Sequence, residues 1–203
     1  MSAHENMEHA EHAQHASHSG SKRIGLMIAV LAALLAFSET LGKNAQTTAI
    51  TENVTANDLW AFFQAKTIRM TVLNTAAEQL QIAADRASDA ATKERLGKKI
   101  DEWKALVARY DDEASSNEGR KQLMERARKA ESNRELSLSR YHNYEYASAA
   151  FQLGIVLASA EVVTEMVLLG WLSAAVGIAG AVLTGLGLWA PDALHALMSG
   201  GGH

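Results

Sequence analysis

Residues 57–69 read NDLWAFFQAKTIR and place three large aromatic side chains in one short segment. Alanine, glutamine, lysine and arginine favour helix, so we expect this segment to be helical. Trp60, Phe63, Gln64 and Thr67 recur at spacings of three and four, which places them on one helical face. We interpret the segment as a packing joint between helices, with a ligand site as the alternative.

A run of apolar residues precedes this segment. Residues 24–41 are apolar except at positions 38–40. At 1.5 Å per residue they extend about 27 Å, close to the thickness of a hydrocarbon core. Residues 22–42 are therefore predicted to form transmembrane helix 1. A cleaved signal peptide is the alternative, which the long acidic leader and the apolar segments further along disfavour.

The first 21 residues form a His- and Glu-rich tail whose only apolar residues are Ala and Met. Such a segment has too little apolar surface to bury a core, so residues 1–21 are predicted to be disordered. In a transient helix, histidines three residues apart could chelate a divalent ion. The alternative is a solvated tail whose imidazoles titrate near neutral pH. The histidines are His4, His9, His12, His15 and His18.

Residues 43–146 are highly charged but contain helical periodicities. Small and apolar residues recur at steps of three and four, the period of one helical stripe. We expect this stripe to be buried against a partner helix of the same chain. Its members are Ile50, Val54, Asn57, Ala61, Ala65, Ile68, Val72, Ala76, Leu80 and Ala83.

A second run steps by four and three residues, which is the 3.5-residue period of coiled coils. The turn between the outgoing and returning helices is predicted at residues 88–92, with Thr92 as the N-cap. Residues 43–146 are thus predicted to form a helical stalk domain, an antiparallel hairpin that could fold over at Gly119. The second run is Leu96, Ile100, Trp103, Val107, Tyr110 and Ala114, and a third continues with Leu123, Ala127 and Ala130.

In such a hairpin, residues 127–134 lie opposite the aromatic segment. The small alanines among them are expected to seat Trp60 and Phe63, and a polar group of the returning helix is expected to satisfy Gln64. The stripe is rich in alanine, so one hairpin buries little apolar area per turn. We therefore expect protomers to associate.

Two further apolar segments follow the charged region. Residues 147–167 are predicted to form transmembrane helix 2 and residues 168–189 transmembrane helix 3, followed by a C-terminal tail, 190–203. Trp171 and Trp189 are about 27 Å apart along a helix, which suits one interfacial aromatic at each membrane surface.

The third span contains a ribbon of small residues. A small residue at every fourth position lets another helix approach closely in lipid. The ribbon is predicted to form a contact between subunits, and packing against residues 147–163 of the same chain is the alternative. Its members are Ser173, Gly177, Ala181 and Gly185.

Two carboxylates, Glu161 and Glu165, are spaced one helical turn apart near the end of the second span. A charge in hydrocarbon is costly, so intramembrane carboxylates are candidates for an ion or proton path. The alternative places both at the short turn between the spans, in contact with lipid headgroups.

Composition and motifs exclude several classes of function. The chain has no cysteine, which excludes disulfides and thiolate metal sites. Its net charge of −4 argues against nucleic-acid binding. The sequence lacks a phosphate-binding glycine loop, a nucleophile elbow and a zinc-helix motif. We assign no catalytic, cofactor-binding or metal-binding residue and no cofactor, and predict that the protein is not an enzyme.

The aromatic segment also resembles a family motif. The motif reads Ser-Asp-Gln-Trp-Ala-Tyr-Tyr-Gln-Ala-Lys in the uncharacterised bacterial membrane family known as domain of unknown function 4337. The tail, the first span and residues 151–159 and 190–195 are similar to that family as well. The resemblance implies a three-span bacterial membrane protein and no established activity. The matching motif residues are Asp58, Trp60, Ala61, Gln64, Ala65 and Lys66, whereas Asn57, Leu59, Phe62 and Phe63 differ.

These observations predict an all-α membrane protein with three transmembrane helices and a long antiparallel, coiled-coil-like hairpin between the first and second. The predicted role is an oligomeric helical scaffold or interaction protein. It would form a homo-oligomer through the stalk and the small-residue face, with an additional protein partner possible. The alternative is a metal-responsive or transport-related protein that uses the tail and the two carboxylates. The expected location is the bacterial inner membrane, and the basic pair Lys22 and Arg23 favours a periplasmic stalk.

Overall fold

The computed structural model describes the backbone of residues 3–193 and the side chains of residues 22–193. The chain is all-α in this range, with no strand. The four helices are α1 (Ala3–Arg86), α2 (Ala90–Asp111), α3 (Arg120–Thr164) and α4 (Val167–Trp189). The only proline, Pro191, follows the last helix, so proline interrupts none of the four.

Three of these helices are long and apolar enough to cross a membrane. The segments are Lys22–Arg86 in α1, Arg120–Thr164 in α3 and Val167–Trp189 in α4. The prediction of an all-α chain with three candidate membrane helices is thus confirmed. The helices α1 and α3 extend far beyond their apolar windows, because alanine-rich charged sequence continues the helix without a breaker.

The chain divides into two compact units. Unit 1 comprises residues 1–48 and 136–203, and unit 2 comprises Ala49–Glu135. Both divisions fall inside continuous helices, α1 and α3. Unit 2 is shorter than the predicted stalk domain of residues 43–146, because residues 43–48 and 136–146 belong to unit 1.

Unit 1 is built around a core in which α1, α3 and α4 meet. Leu31, Ala147 and Phe151 are buried there. The Ser38 hydroxyl, also buried, donates a hydrogen bond of 3.1 Å to the Tyr144 carbonyl. This bond satisfies a polar side chain that interrupts the apolar run of α1.

Small residues of α4 allow α3 to approach closely. The Ser173 hydroxyl donates a 2.7 Å hydrogen bond to the carbonyl of Gly154. A Cβ added at Gly180 would lie 2.8 Å from the buried ring of Phe151. The residues buried along α4 are Ser173, Gly177, Gly180, Thr184 and Gly187.

This seam corrects the predicted ribbon. Ser173 and Gly177 are buried as expected, but Ala181 is exposed and Gly185 is only half-buried. The buried residues step by four and three, because helices that wrap around each other keep a period near 3.5 rather than 4. Ser173 contacts Gly154, within residues 147–163 as the alternative held, whereas Gly177 faces Leu31 of α1. A subunit contact through this helix stays a prediction.

In unit 2, the buried face of α1 is different from the predicted stripe. Ile50, Val54, Ile68 and Val72 are all exposed, so the expectation that the stripe packs within the chain is wrong. The side of α1 that is buried carries alanine, whose small side chain permits the close approach of α2 and α3. The buried alanines are Ala49, Ala56, Ala77 and Ala84.

The periodic residues of α2 are buried only in part, whereas those of α3 are buried. Ile100 is buried in α2, and Leu123, Ala127 and Ala130 are buried in α3. Ala114 lies beyond the end of α2 and is exposed, because this helix ends at Asp111.

The turn between α1 and α2 lies at residues 87–89, next to the predicted position. Its N-cap is Asp89 rather than Thr92. The Asp89 carboxylate accepts hydrogen bonds from the amides of Ala91 and Thr92. A hydrogen bond from the Thr92 side chain lowers the pKa of Asp89 most, and the two amide hydrogen bonds lower it further. A carboxylate is a stronger acceptor than a hydroxyl, which explains the position of the cap.

The backbone of residues 3–21 forms the start of α1, where the sequence predicts disorder. The side chains of this tail and the structure of residues 194–203 lie outside the described residues, so the predicted metal binding and the predicted C-terminal tail stay predictions.

The packing of α4 generates a test. Gly180→Ala forces a methyl group against the buried Phe151 ring, which we expect to lower the melting temperature by about 2–10 °C. Gly25→Ala is the matched control, because a Cβ there meets nothing within 4 Å. The measurement is thermal unfolding of the full chain in detergent, and equal melting temperatures for both variants would contradict this packing.

Candidate functional site

The aromatic segment of α1 contacts both other helices of unit 2, and Trp60 is its first anchor. The Trp60 indole Nε1 donates a 2.8 Å hydrogen bond to the Glu131 carboxylate on α3. The ring of Phe63 lies edge-on to Trp60, with the ring centroids 5.4 Å apart. The Arg120 guanidinium, from the start of α3, lies over the Phe63 ring at 5.6 Å. These contacts tie two positions of α3 to one short stretch of α1.

The second anchor is Lys66, a lysine with only 4% of its surface exposed. Its Nζ lies 5.4 Å from the ring centre of Phe62 and 5.3 Å from that of Tyr110 on α2. The carboxylate of Glu113 approaches the same Nζ at 3.7 Å. Two aromatic faces and one carboxylate thus compensate the buried charge.

The segment between α2 and α3, residues 112–119, closes over this lysine. Arg109 binds the carboxylate of Glu113 at 2.6 Å and holds it towards α1. Gln122 accepts a hydrogen bond from the Glu113 amide and donates one to Asp112. Gly119, the last residue of the segment, is buried, and a Cβ there would meet the Gln122 side chain and the Glu113 backbone. The segment is therefore a fixed connection.

The electrostatics of this connection favour ionised carboxylates. The hydrogen bond from Gln122, followed by that from Lys121, lowers the pKa of Asp112. The Arg109 guanidinium lowers the pKa of Glu113, although burial opposes the shift. Both carboxylates stay charged at neutral pH, which Lys66 and Lys121 require of their partners.

The predicted joint is partly confirmed. Trp60 meets α3 at Glu131, within the predicted range 127–134. Ala127 and Ala130 are buried, and their seating of Trp60 and Phe63 stays a prediction. Gln64 is exposed, so the prediction that a polar group of the returning helix satisfies it is wrong. Sequence reasoning missed Lys66 as the buried cation. One feature of the sequence could have indicated its burial: Lys66 belongs to the motif and lies on the side of α1 opposite the exposed isoleucines and valines.

Unit 1 contains a cavity of about 450 Å³ between α1 and α3. Glu39, Lys43 and Glu145 contribute charges of both signs to its walls. The Tyr141 hydroxyl donates to the Glu145 carboxylate at 3.4 Å. The other lining residues are Ser38, Gly42, Gln46, Tyr144, Ser148, Ala149 and Gln152.

The two carboxylates near the end of α3 are in different environments. The Glu161 carboxylate lies against Gly170 of α4, and its buried Oε2 has no hydrogen-bond partner among the described residues. With Arg23 it lines a cavity of about 210 Å³. Glu165 follows the last residue of α3, has a φ of 57° and is exposed. The two therefore do not share a helical face, because α3 ends between them.

Clusters of His, Asp and Glu able to hold a metal ion do not occur among the described side chains. The five histidines of the N-terminal tail lie outside that range, so the predicted metal-binding arm stays a prediction.

Comparison with known proteins yields one match. The model of the family described as Domain of unknown function (DUF4337) matches residues 20–190. No curated protein and no solved structure matches the chain.

The joint generates a test by double-mutant cycle. We expect Trp60→Phe and Glu131→Gln each to lower the free energy of unfolding. Their coupling should be about 1 kcal/mol, because Trp60→Phe removes the donor whereas Glu131→Gln leaves a neutral acceptor in place of a charged one. The measurement is denaturant unfolding of the full chain in detergent.

The control pairs Trp60→Phe with Glu125→Gln, which alters an exposed carboxylate of the same helix. Additivity in the control cycle and coupling in the Glu131 cycle support the joint. Equal additivity in both cycles would contradict it.

Proposed function

Because the chain belongs to the DUF4337 family, whose function is unknown, we propose its role from its own contacts: a membrane-anchored helical scaffold that forms oligomers. The proposal assigns it no reaction. The observation that carries it is the use of the family motif in unit 2. Trp60 and Lys66, two motif residues, are engaged by Glu131 and Glu113 of the same unit. A motif engaged by its own chain suits a role in holding a structure.

The contacts within unit 2 support an antiparallel hairpin as the scaffold element. As the residue number in α1 rises, the residue number of its partner further along the chain falls. Asn53 accepts a hydrogen bond from Arg134, Trp60 binds Glu131, and Lys66 binds Glu113. In this proposal α1 is the outgoing helix, and α2 and α3 together return beside it.

The three apolar helices support insertion in a membrane. We propose the bacterial inner membrane, with the hairpin on the periplasmic side because of the basic pair before the first span. A polar, charged hairpin next to a multi-span anchor is suited to present a surface to other proteins.

The oligomer is tested by measuring mass. One chain has a mass of 21.9 kDa. We expect native mass spectrometry of the full chain, released from a mild detergent, to give a mass of at least twice this value, at an integer multiple of it. A monomer with no co-purifying protein would remove the main support for a scaffold.

A transport-related or metal-responsive role is a second candidate, and the environment of Glu161 favours it. The carboxylate oxygen of Glu161, buried and without a hydrogen-bond partner among the described residues, lies beside a cavity that Arg23 also lines and suits the binding of a cation or proton. In liposomes, Glu161→Gln should then lower cation or proton flux at least ten-fold. Glu165→Gln, which alters the exposed neighbour, should leave it unchanged. Absence of flux in the unaltered protein would rule this role out.

A further inference from the structure

One face of α1 in unit 2 is uncharged and exposed over about nine helical turns. Its residues step mostly by four and three, the spacing of a helix that packs against another helix. We call these ten residues the uncharged face: Ile50, Val54, Asn57, Ala61, Gln64, Ile68, Val72, Thr75, Gln79 and Ile82.

This face differs from an ordinary solvated helix surface. Exposed helix faces in soluble regions usually carry charged residues, and unit 2 has many on its other surfaces. Along the uncharged face, by contrast, the five isoleucine and valine side chains keep 53–64% of their surface exposed. Depletion of charge around large apolar residues is typical of the core of a protein–protein interface.

We propose that the uncharged face is the contact between two copies of this chain, paired with their α1 helices parallel. The inference rests on the proposed function and specifies its partner and its surface. A two-fold interface brings the same patch of both copies together. Two copies of an uncharged face pair without like-charge repulsion. Two copies of the charged surface of α2 would repel each other.

Three observations favour this occupant. Val54, Ile68 and Val72 occupy the same one of the two alternating seam positions, the position at which β-branched side chains are typical of parallel two-stranded coiled coils. Three candidate membrane helices give all copies in a bilayer the same orientation, which permits parallel pairing. From Ile50 to Ile82 the face is about 48 Å long, enough for an extended seam.

The spacing also predicts the local geometry of the seam. Gln64, Ile68 and Val72 are separated by two successive steps of four. Such an insertion in a 3.5-residue pattern locally unwinds a supercoil. The paired helices should therefore run nearly straight around Ile68.

The chain has no cysteine, so introduced thiols report this contact directly. Val54→Cys and Ile68→Cys are separately crosslinked by oxidation of the full protein in detergent or lipid nanodiscs. Parallel, in-register pairing places each thiol beside its own copy at both positions, which are about 21 Å apart along the helix. We expect disulfide-linked dimers at both positions, at least ten-fold more abundant than for Lys98→Cys, an exposed position of α2.

A second pair of variants measures the association. Val72→Glu places a carboxylate in the seam of both copies and should weaken association at least ten-fold while the helical circular dichroism is unchanged. Lys98→Glu is the control, because it alters charge on an exposed part of α2.

The outcomes separate this inference from the proposed function. An oligomer that persists in Val72→Glu, or crosslinks at only one of the two positions, overturns the parallel seam and leaves the scaffold standing. A monomeric unaltered protein overturns both. A different protein that co-purifies with the unaltered chain and is lost in Val72→Glu overturns the self-pairing, because a foreign partner then covers the face.

Discussion

The structure depends on how closely its helices approach one another, and small residues set that distance. In unit 1, Gly180 leaves room for the ring of Phe151. In unit 2, alanines occupy the buried side of α1. Close approach gives good van der Waals contact along each seam, but it buries little apolar area per residue. The interfaces are therefore continuous and individually weak, and they need other contacts to fix their register.

The polar joint in unit 2 supplies such a contact. Alanine seams of similar spacing slide past one another at little cost, whereas a buried lysine tolerates only an arrangement that compensates its charge. Lys66 meets its carboxylate in one register, and Trp60 meets Glu131 in the same register. We regard register selection as the physical role of the motif. The aromatic rings that flank these groups exclude water and strengthen both interactions.

Much of this architecture follows from sequence periodicity and length. The apolar windows are where their pattern predicts them, and the turn after α1 overlaps the predicted range 88–92. Of the run from Leu96 to Tyr110, Ile100 is buried and the others are half-buried. The buried face of α1 was not predictable in this way, because two faces of that helix carry a helical repeat. Hydrophobicity selects the face with Ile50 and Val54, whereas the close approach of α2 and α3 selects the alanines. That approach is a property of three helices together. The burial of Lys66 was not predictable for a related reason, because it depends on partners about 45 residues away in sequence.

The same choice of face has an energetic consequence. In α1 alanine is buried and isoleucine is exposed, which reverses the usual preference for burying the larger apolar side chain. An isoleucine has three more side-chain carbons than an alanine. At about 0.8 kcal/mol per buried methylene, each exposed isoleucine forgoes about 2 kcal/mol of burial relative to an alanine in its place. Ile50, Ile68 and Ile82 share one face, so one additional helix could recover most of this energy at once. A chain that already pairs α1 with α2 and α3 has no further described helix in unit 2 to place there. This exposed apolar surface therefore faces away from the described helices of unit 2, where a helix from outside the unit would bury it.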